Sequence, residues 1–366
     1  MGRRVGPGGE RENRESYPWP YRRIATEEAF SVPEVYEALR GWAATADPAE
    51  PDQDFWDFVF TQDTPGLRRV RRQLLDLDGE RLEIMDANGV DVQVLSLTAP
   101  GVQTFPAAEG TALARLANDR LAELIGKRPG RFAGLAAVAP QDPRAAAAEI
   151  DRAVTELKLN GVIVNSHTGS EYLDEETYWP LLEAAEAHGV PIYIHPRSPA
   201  APMAAAFKKY GLETGIWGFQ AETGLHALRL ICGGVFDRFP RLRIVLGHLG
   251  EGLPYWLYRL DYMHPVRASY EPRPALSLTP SEYVKRNFAI TTSGMNWAPV
   301  LRFCIEAVGA DNIMFAIDYP YQTTEAAVRF LDEAEISDED RRKIYHRNAE
   351  RIFGIPDCEE PTDVEY

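Results

Sequence analysis

Cysteine is scarce in these 366 residues: only Cys232, Cys304 and Cys358, widely spaced and with no CxxC pair. That argues against a disulfide framework and a thiolate zinc site, and free thiols fit a reducing cytoplasm. Long hydrophobic runs are missing too. No stretch approaches the roughly 18 apolar residues of a membrane span. Arg3 and Arg4 are not followed by the apolar segment of a secretory signal. Positive charge is in deficit, with 39 Lys and Arg against 55 Asp and Glu, for a formal net charge of −16. So acidic a chain argues against nucleic acid or a membrane surface as partner, though a local arginine and metal site can still attract a small anion. No Gly-x-Gly-x-x-Gly turn follows an apolar run, which weakens a dinucleotide-binding sheet. There is no repeat of solenoid period.

What is present is a strongly periodic alternation. Eight short apolar runs recur: 23–26, 90–98, 132–138, 161–167, 191–195, 243–248, 288–293 and 313–320. Continuous apolar runs suit parallel strands covered on both faces. The segments 143–157, 177–188, 222–233 and 298–308 read as helices from their apolar spacing. Eightfold strand–helix alternation predicts an α/β fold, a (β/α)8 TIM-like barrel, as a single domain over 21–354. Residues 45–80 are too long for a barrel loop and predict an insertion after strand 1, lying over the mouth. Residues 1–20, rich in Gly, Arg, Glu and Pro, predict a flexible arm, and 355–366 an acidic tail.

In such barrels chemistry gathers where strands run out into the loops. Here the runs end in Glu27 and Glu28, Thr98, Asn165 and His167, His195, His248, Ser293 and Asp318. Each has a bland reading alone, since a lone histidine is usually structural and an aspartate before aromatic-Pro often caps a turn. Together they are stronger. A barrel brings strands 1, 5, 6 and 8 to one mouth, and Glu27, His195 and Asp318 make a good shell for one divalent ion. One nitrogen among oxygens leans toward Mn2+ or Mg2+ over Zn2+. His248 and Glu251 are close enough for the carboxylate to orient the imidazole, or Glu251 simply opens a helix. Spacing leaves both open.

The strings IATEEAF (24–30), LTAPGVQ (97–103), NSHT (165–168), YIHP (193–196), GHLGEGLPYWLYRLDYMH (247–264) and DYPYQ (318–322) carry a family likeness. From about Arg23 to Gly354 the chain resembles the amidohydrolase superfamily, in its group of non-oxidative aromatic acid decarboxylases, and within that group the 5-carboxyvanillate type. Many relatives carry a second ligand two residues after the strand-1 glutamate. Ala29 stands there instead, as in carboxyvanillate-type members, and this speaks against a binuclear hydrolase.

The resemblance implies one divalent metal, Mn2+ favoured, on Glu27, His195 and Asp318, with Asp318, His248 and Glu251 as catalytic groups. It implies substrate contacts from Tyr321, from His167 in a supporting role, and from Arg68 in the RRVRR cluster. It also implies that Arg259 crosses into a neighbouring subunit's site, making a homodimer or homotetramer. The expected reaction is loss of CO2 from a small aromatic carboxylate, 5-carboxyvanillate first. The alternatives are 2,3- or 2,6-dihydroxybenzoate, then a metal-dependent hydrolase. Without the resemblance, Arg259 would pair on its helix surface, the RRVRR cluster would be a solvated face, and Tyr321 would pack on the rim.

Overall fold

The computed structural model describes residues 21–357, so the expected arm and most of the acidic tail, Cys358 included, lie outside the described residues. Eight parallel strands pair in sequence order: β1 (Ile24–Phe30), β2 (Val92–Leu97), β3 (Phe132–Ala137), β4 (Gly161–Asn165), β5 (Ile192–His195), β6 (Ile244–Leu246), β7 (Phe288–Thr291) and β8 (Ile313–Met314). Every strand residue is buried except His195, which is half-buried. The runs lack alternation because one face fills the barrel and the other lies under helices.

The ring closes between β8 and β1. The Thr26 N–H donates to the Phe315 carbonyl at 3.0 Å and the Ala29 N–H to Tyr319 at 2.7 Å. Between them the ladder runs through a side chain, since the Glu28 carboxylate accepts from the N–H groups of Ile317 (2.9 Å) and Tyr319 (3.2 Å). The β1–β2 register jumps from Ala25↔Gln93 to Glu28↔Leu95, a bulge of one extra residue on β1. Bulges re-aim side chains. Glu27 and Glu28 are both buried beside it, and the first run is corrected: Glu27 lies within a strand extending to Phe30, not at the end of one closing at 26.

Between β1 and β2 come four helices: α1 (Pro33–Thr45), α2 (Gln53–Thr61), α3 (Pro65–Leu75) and α4 (Glu80–Ala87). Arg81 of α4 is fully buried and donates to the Ala29 carbonyl at 2.7 Å and to Gln93 Oε1 at 3.0 Å, pinning the helix to β1 and β2. Further on, α5 (Ala107–Lys127), α6 (Pro143–Thr155), α7 (Trp179–His188), α8 (Ala201–Lys208) and α9 (Gly218–Cys232) cover the outside. Asp142 starts α6 by accepting from the Ala145 N–H at 3.0 Å, with Pro143 following it. Such a cap is worth about 1 kcal/mol. The helix stops two residues short of expectation, and α9 begins four residues early. No helix among the described residues is long and apolar enough to cross a membrane.

Candidate active site

Glu27 is held by one oxygen and bare at the other. Oε2 accepts from the hydroxyls of Tyr193 and Ser293, both in very short hydrogen bonds, and from Thr291 at 2.8 Å. Oε1 is buried with no hydrogen-bond partner. It lies 3.5 Å from His195 Nε2 and 3.9 Å from His248 Nε2. Burial alone would raise this carboxyl, but the two imidazoles and the hydroxyl donors outweigh it and hold the group below its ordinary value. A Cβ at Gly247 would lie 2.8 Å from both Glu27 oxygens, so only glycine fits there.

His195 closes β5 with Nδ1 placed 2.7 Å from the Pro196 carbonyl. Nδ1–H therefore donates, leaving the Nε2 lone pair toward Glu27. Burial depresses its pKa, which favours the neutral ligand form. Asp318 sits at φ 74°, where its own carbonyl accepts from Tyr321 and Gln322 (2.9 Å each). Its carboxylate makes no hydrogen bond or ion pair among the described residues. Burial, then the charges of Glu27 and Glu251, push it well above the ordinary range, with His248 pulling the other way.

One atom from each of Glu27, His195 and Asp318 lies within 4.8 Å of the others. The bare Oε1, the aimed Nε2 and the unpartnered carboxylate fit a divalent cation. Among mostly oxygen donors with one imidazole, a hard or borderline ion is suited.

Beside them, His248–Gly252 form a left-handed turn. His248, Leu249, Gly250, Glu251 and Gly252 all have positive φ. For each non-glycine residue this costs about 1 kcal/mol or more, and such strain gathers at functional sites. The turn folds Glu251 back so that Oε1 sits 2.8 Å from His248 Nδ1. Burial pulls His248 down, but Glu251, Glu27 and Asp318 hold it up, to about 10. Of the two readings left open by spacing, the geometry is that of the oriented imidazole. Gly294, at φ 62°, keeps the space beside His248 open.

His195, His248 and Asp318 line a pocket of about 320 Å3, with Glu27 and Glu251 behind them. Tyr321 lines it, its hydroxyl 2.7 Å from Thr98 Oγ1. The insertion roofs it through Asp52, Phe55 and Trp56. Two expected contacts fall elsewhere. His167 is buried behind the wall, its ring between the carbonyls of Gly169 (2.7 Å) and Ser198 (3.0 Å), because Ser166 at φ 38° turns the chain away from the mouth. Arg68 points outward from α3, 53% exposed and paired with Asp63 at 2.6 Å. Arg259, expected in a neighbouring subunit's site, is exposed on the helix Leu253–Ala268 and does not line its own chain's pocket. The lining cation that sequence reasoning missed is Arg197, buried two residues past His195. Adjacency to that ligand was the available signal.

The sequence profile of the amidohydrolase family ("Amidohydrolase") matches residues 70–355. The chain belongs to this family. Among solved structures, this amidohydrolase is similar to 5-carboxyvanillate decarboxylase from Sphingomonas paucimobilis, at 48% identity, covering 92% of this chain and 100% of that one, with TM-score 0.89. A 5-carboxyvanillate decarboxylase from Novosphingobium aromaticivorans, complexed with manganese and 4-hydroxy-3-methoxy-5-nitrobenzoic acid, is 41% identical over 92% of this chain and 97% of that one, TM-score 0.88. Gamma-resorcylate decarboxylase of a Rhizobium species is 37% identical over 341 residues, 91% of this chain and 98% of that protein. Within the family the chain falls in the group of aromatic acid decarboxylases, which are carboxy-lyases.

Proposed function

We propose that this amidohydrolase decarboxylates 5-carboxyvanillate to vanillate and CO2 in the cytoplasm. The observation that carries the reading is the pairing, at the base of one pocket, of bare ligand atoms on Glu27, His195 and Asp318 with the Glu251-held His248 beside them.

Direct loss of CO2 from an aryl carboxylate would leave an electron pair in the ring plane. Protonating the ipso carbon first avoids that. Asp318, the unpartnered carboxyl facing the pocket, delivers the proton to that carbon. The carbon–carbon bond then breaks, its electron pair restores the aromatic ring, and CO2 departs. His248, fixed by Glu251, donates to the phenolic oxygen while charge moves onto the ring. Tyr321 and Thr98 hold the ring edge. A divalent ion on the Glu27, His195 and Asp318 set, manganese by the precedent of the Novosphingobium enzyme, would supply charge that orients the carboxylate and its ortho oxygen.

The second carboxylate of this substrate needs a cation. Within one chain Arg197 is already neutralised by Asp52 at 2.7 Å. Arg259 makes no ion pair among the described residues, and its helix exposes Tyr255, Trp256, Tyr258 and Tyr262. Such an aromatic face suits a subunit interface, and we assign Arg259 to the second carboxylate in the site of a neighbouring copy, in a homodimer or homotetramer.

The relatives acting on gamma-resorcylate support a second reading, a dihydroxybenzoate with one carboxylate. Both are tested by incubating the manganese-loaded enzyme with 5-carboxyvanillate and with 2,6-dihydroxybenzoate and following ultraviolet loss and product formation. The expected result is faster turnover of 5-carboxyvanillate, with Arg259→Ala slowing that substrate alone. Equal slowing of both, or preference for 2,6-dihydroxybenzoate, would overturn the dicarboxylate assignment.

A further inference from the structure

The pocket roof hangs on one buried ion pair. Asp52 immediately precedes α2, at φ 68°, yet its side chain does not cap that helix. It reaches across the mouth instead. Oδ2 accepts from Arg197 Nε and Nη2 at 2.7 Å each, and Oδ1 accepts from the Ser198 N–H at 2.8 Å. Both side chains are 4% exposed. Arg197 is itself rooted, since Nη1 donates to the His167 carbonyl at 3.2 Å, an oxygen that also accepts from the Gln103 amide at 3.1 Å.

What hangs from this pair is an aromatic wall. Phe55 of α2 meets Phe219 of α9 edge to face, with centroids 6.5 Å apart. Asp52 and Phe55 line the catalytic pocket and also a second cavity of about 350 Å3 beyond it, bounded by Phe58, Pro199 and Ala204. Asp52 and Phe55 are the residues the two cavities share.

We propose that the Asp52–Arg197 ion pair is a positioning device that holds Phe55 as a partition between these cavities, and so sets the largest ring the catalytic pocket admits. Asp52 strained at positive φ and spent on Arg197 rather than on its own helix is the geometry of a clasp. With the partition in place the pocket takes a single-ring ortho-hydroxy acid. With it released, the second cavity becomes continuous with the first and a fused two-ring acid fits. The proposal rests on the aromatic acid reading for the class of ligand, though not for the reaction.

The test compares equilibrium binding of salicylate and of the fluorescent 1-hydroxy-2-naphthoate to the manganese-loaded full chain. Wild type, Asp52→Ala, Phe55→Ala and Arg197→Lys are measured, with metal content determined for each. Wild type should favour salicylate. Asp52→Ala and Phe55→Ala should each move the affinity ratio about tenfold toward the naphthoate while retaining metal. Arg197→Lys, which keeps the charge, should move it less. An unmoved ratio in Phe55→Ala, which breaks no ion pair and tests the partition even where Asp52→Ala fails to fold, overturns the proposal. So does a ratio that moves in Phe55→Ala and stays fixed in a folded, metal-retaining Asp52→Ala. Failure of the catalytic reading is distinct: no hydroxybenzoate would release CO2, while the binding ratio would still shift.

Discussion

Two histidines in this barrel, His226 fully buried and His248 largely so, titrate in opposite directions. His248, at the mouth, is held up to about 10, while His226, on α9 behind β4, is pushed down to about 3. Burial depresses both, so the neighbours make the difference. His248 faces the carboxylates of Glu251, Glu27 and Asp318. His226 accepts the Leu173 N–H on Nε2 at 3.1 Å and has Nδ1 3.3 Å from Ser166 Oγ, with His167 in its protonated form and the Arg229 charge opposing a second proton. The mouth keeps acceptors bare and like charges crowded. The region behind β4 satisfies its polar atoms within the fold. The first arrangement does chemistry and the second holds an arch in place.

The largest break in that contrast should come at the mouth. Asp318→Asn preserves shape and removes the proposed proton source, so turnover should fall about a thousandfold or more. Steady-state and single-turnover assays of CO2 release check it, and unchanged turnover would remove Asp318 from the proton-donor role. Glu27→Gln should lose bound metal as well as activity, read by metal analysis after dialysis, because the one bare anionic oxygen becomes neutral. Glu251→Gln should act more mildly. The imidazole keeps a hydrogen bond but loses its anion, and kcat should fall roughly 10- to 100-fold with KM little changed.

The opposite region should respond to acid rather than to substrate. With a folded pKa of about 3 and an ordinary value of 6.5, His226 binds its proton more readily in the unfolded chain. Stability is therefore present above about pH 6.5 and drains as pH falls toward about 3, at up to about 1.4 kcal/mol per pH unit from this group. Melting temperature followed from pH 7 to 4 should drop less steeply in His226→Asn, which removes that proton site. Parallel slopes for the two proteins would show that other groups carry the acid sensitivity.

The same contrast marks what the sequence made legible. Eight apolar runs were readable because each strand is buried on both faces, and polar residues at their ends stood out for that reason. Glu27 and Glu28 read as a strand terminator because two consecutive carboxylates are costly to bury, and the hydroxyls on Glu27 and the backbone N–H groups on Glu28 that make it possible come from distant strands. The left-handed turn at His248–Gly252 was hinted at by Gly250 and Gly252, but its direction required coordinates. Arg197 was signalled only by its place two residues past His195, since its partner Asp52 lies 145 residues earlier. His167 was misread for a related reason. Ser166 turns the chain at φ 38° and puts that imidazole behind the wall, and nothing in the string NSHT announces the turn.

The smallest effect tests whether the two regions are separate at all. Ser166 Oγ donates to Glu222 at 3.2 Å and lies 3.3 Å from His226 Nδ1, and Glu222 also accepts from the Ala200 N–H at 3.0 Å. Ser166→Ala therefore removes one of the donors to Glu222, which keeps the Ala200 N–H and Tyr172, and leaves the His226 N–H without an acceptor. The loss should be about 1–2 kcal/mol of stability, measured by denaturant midpoint, with kcat unchanged. The next residue, His167, carries the carbonyl that Arg197 grips, so a coupled arch has a route to the roof. A kcat or KM that moves along with stability would mean the network behind β4 sets the geometry of the mouth through Arg197, and that the division between a chemical and a structural region is one of degree.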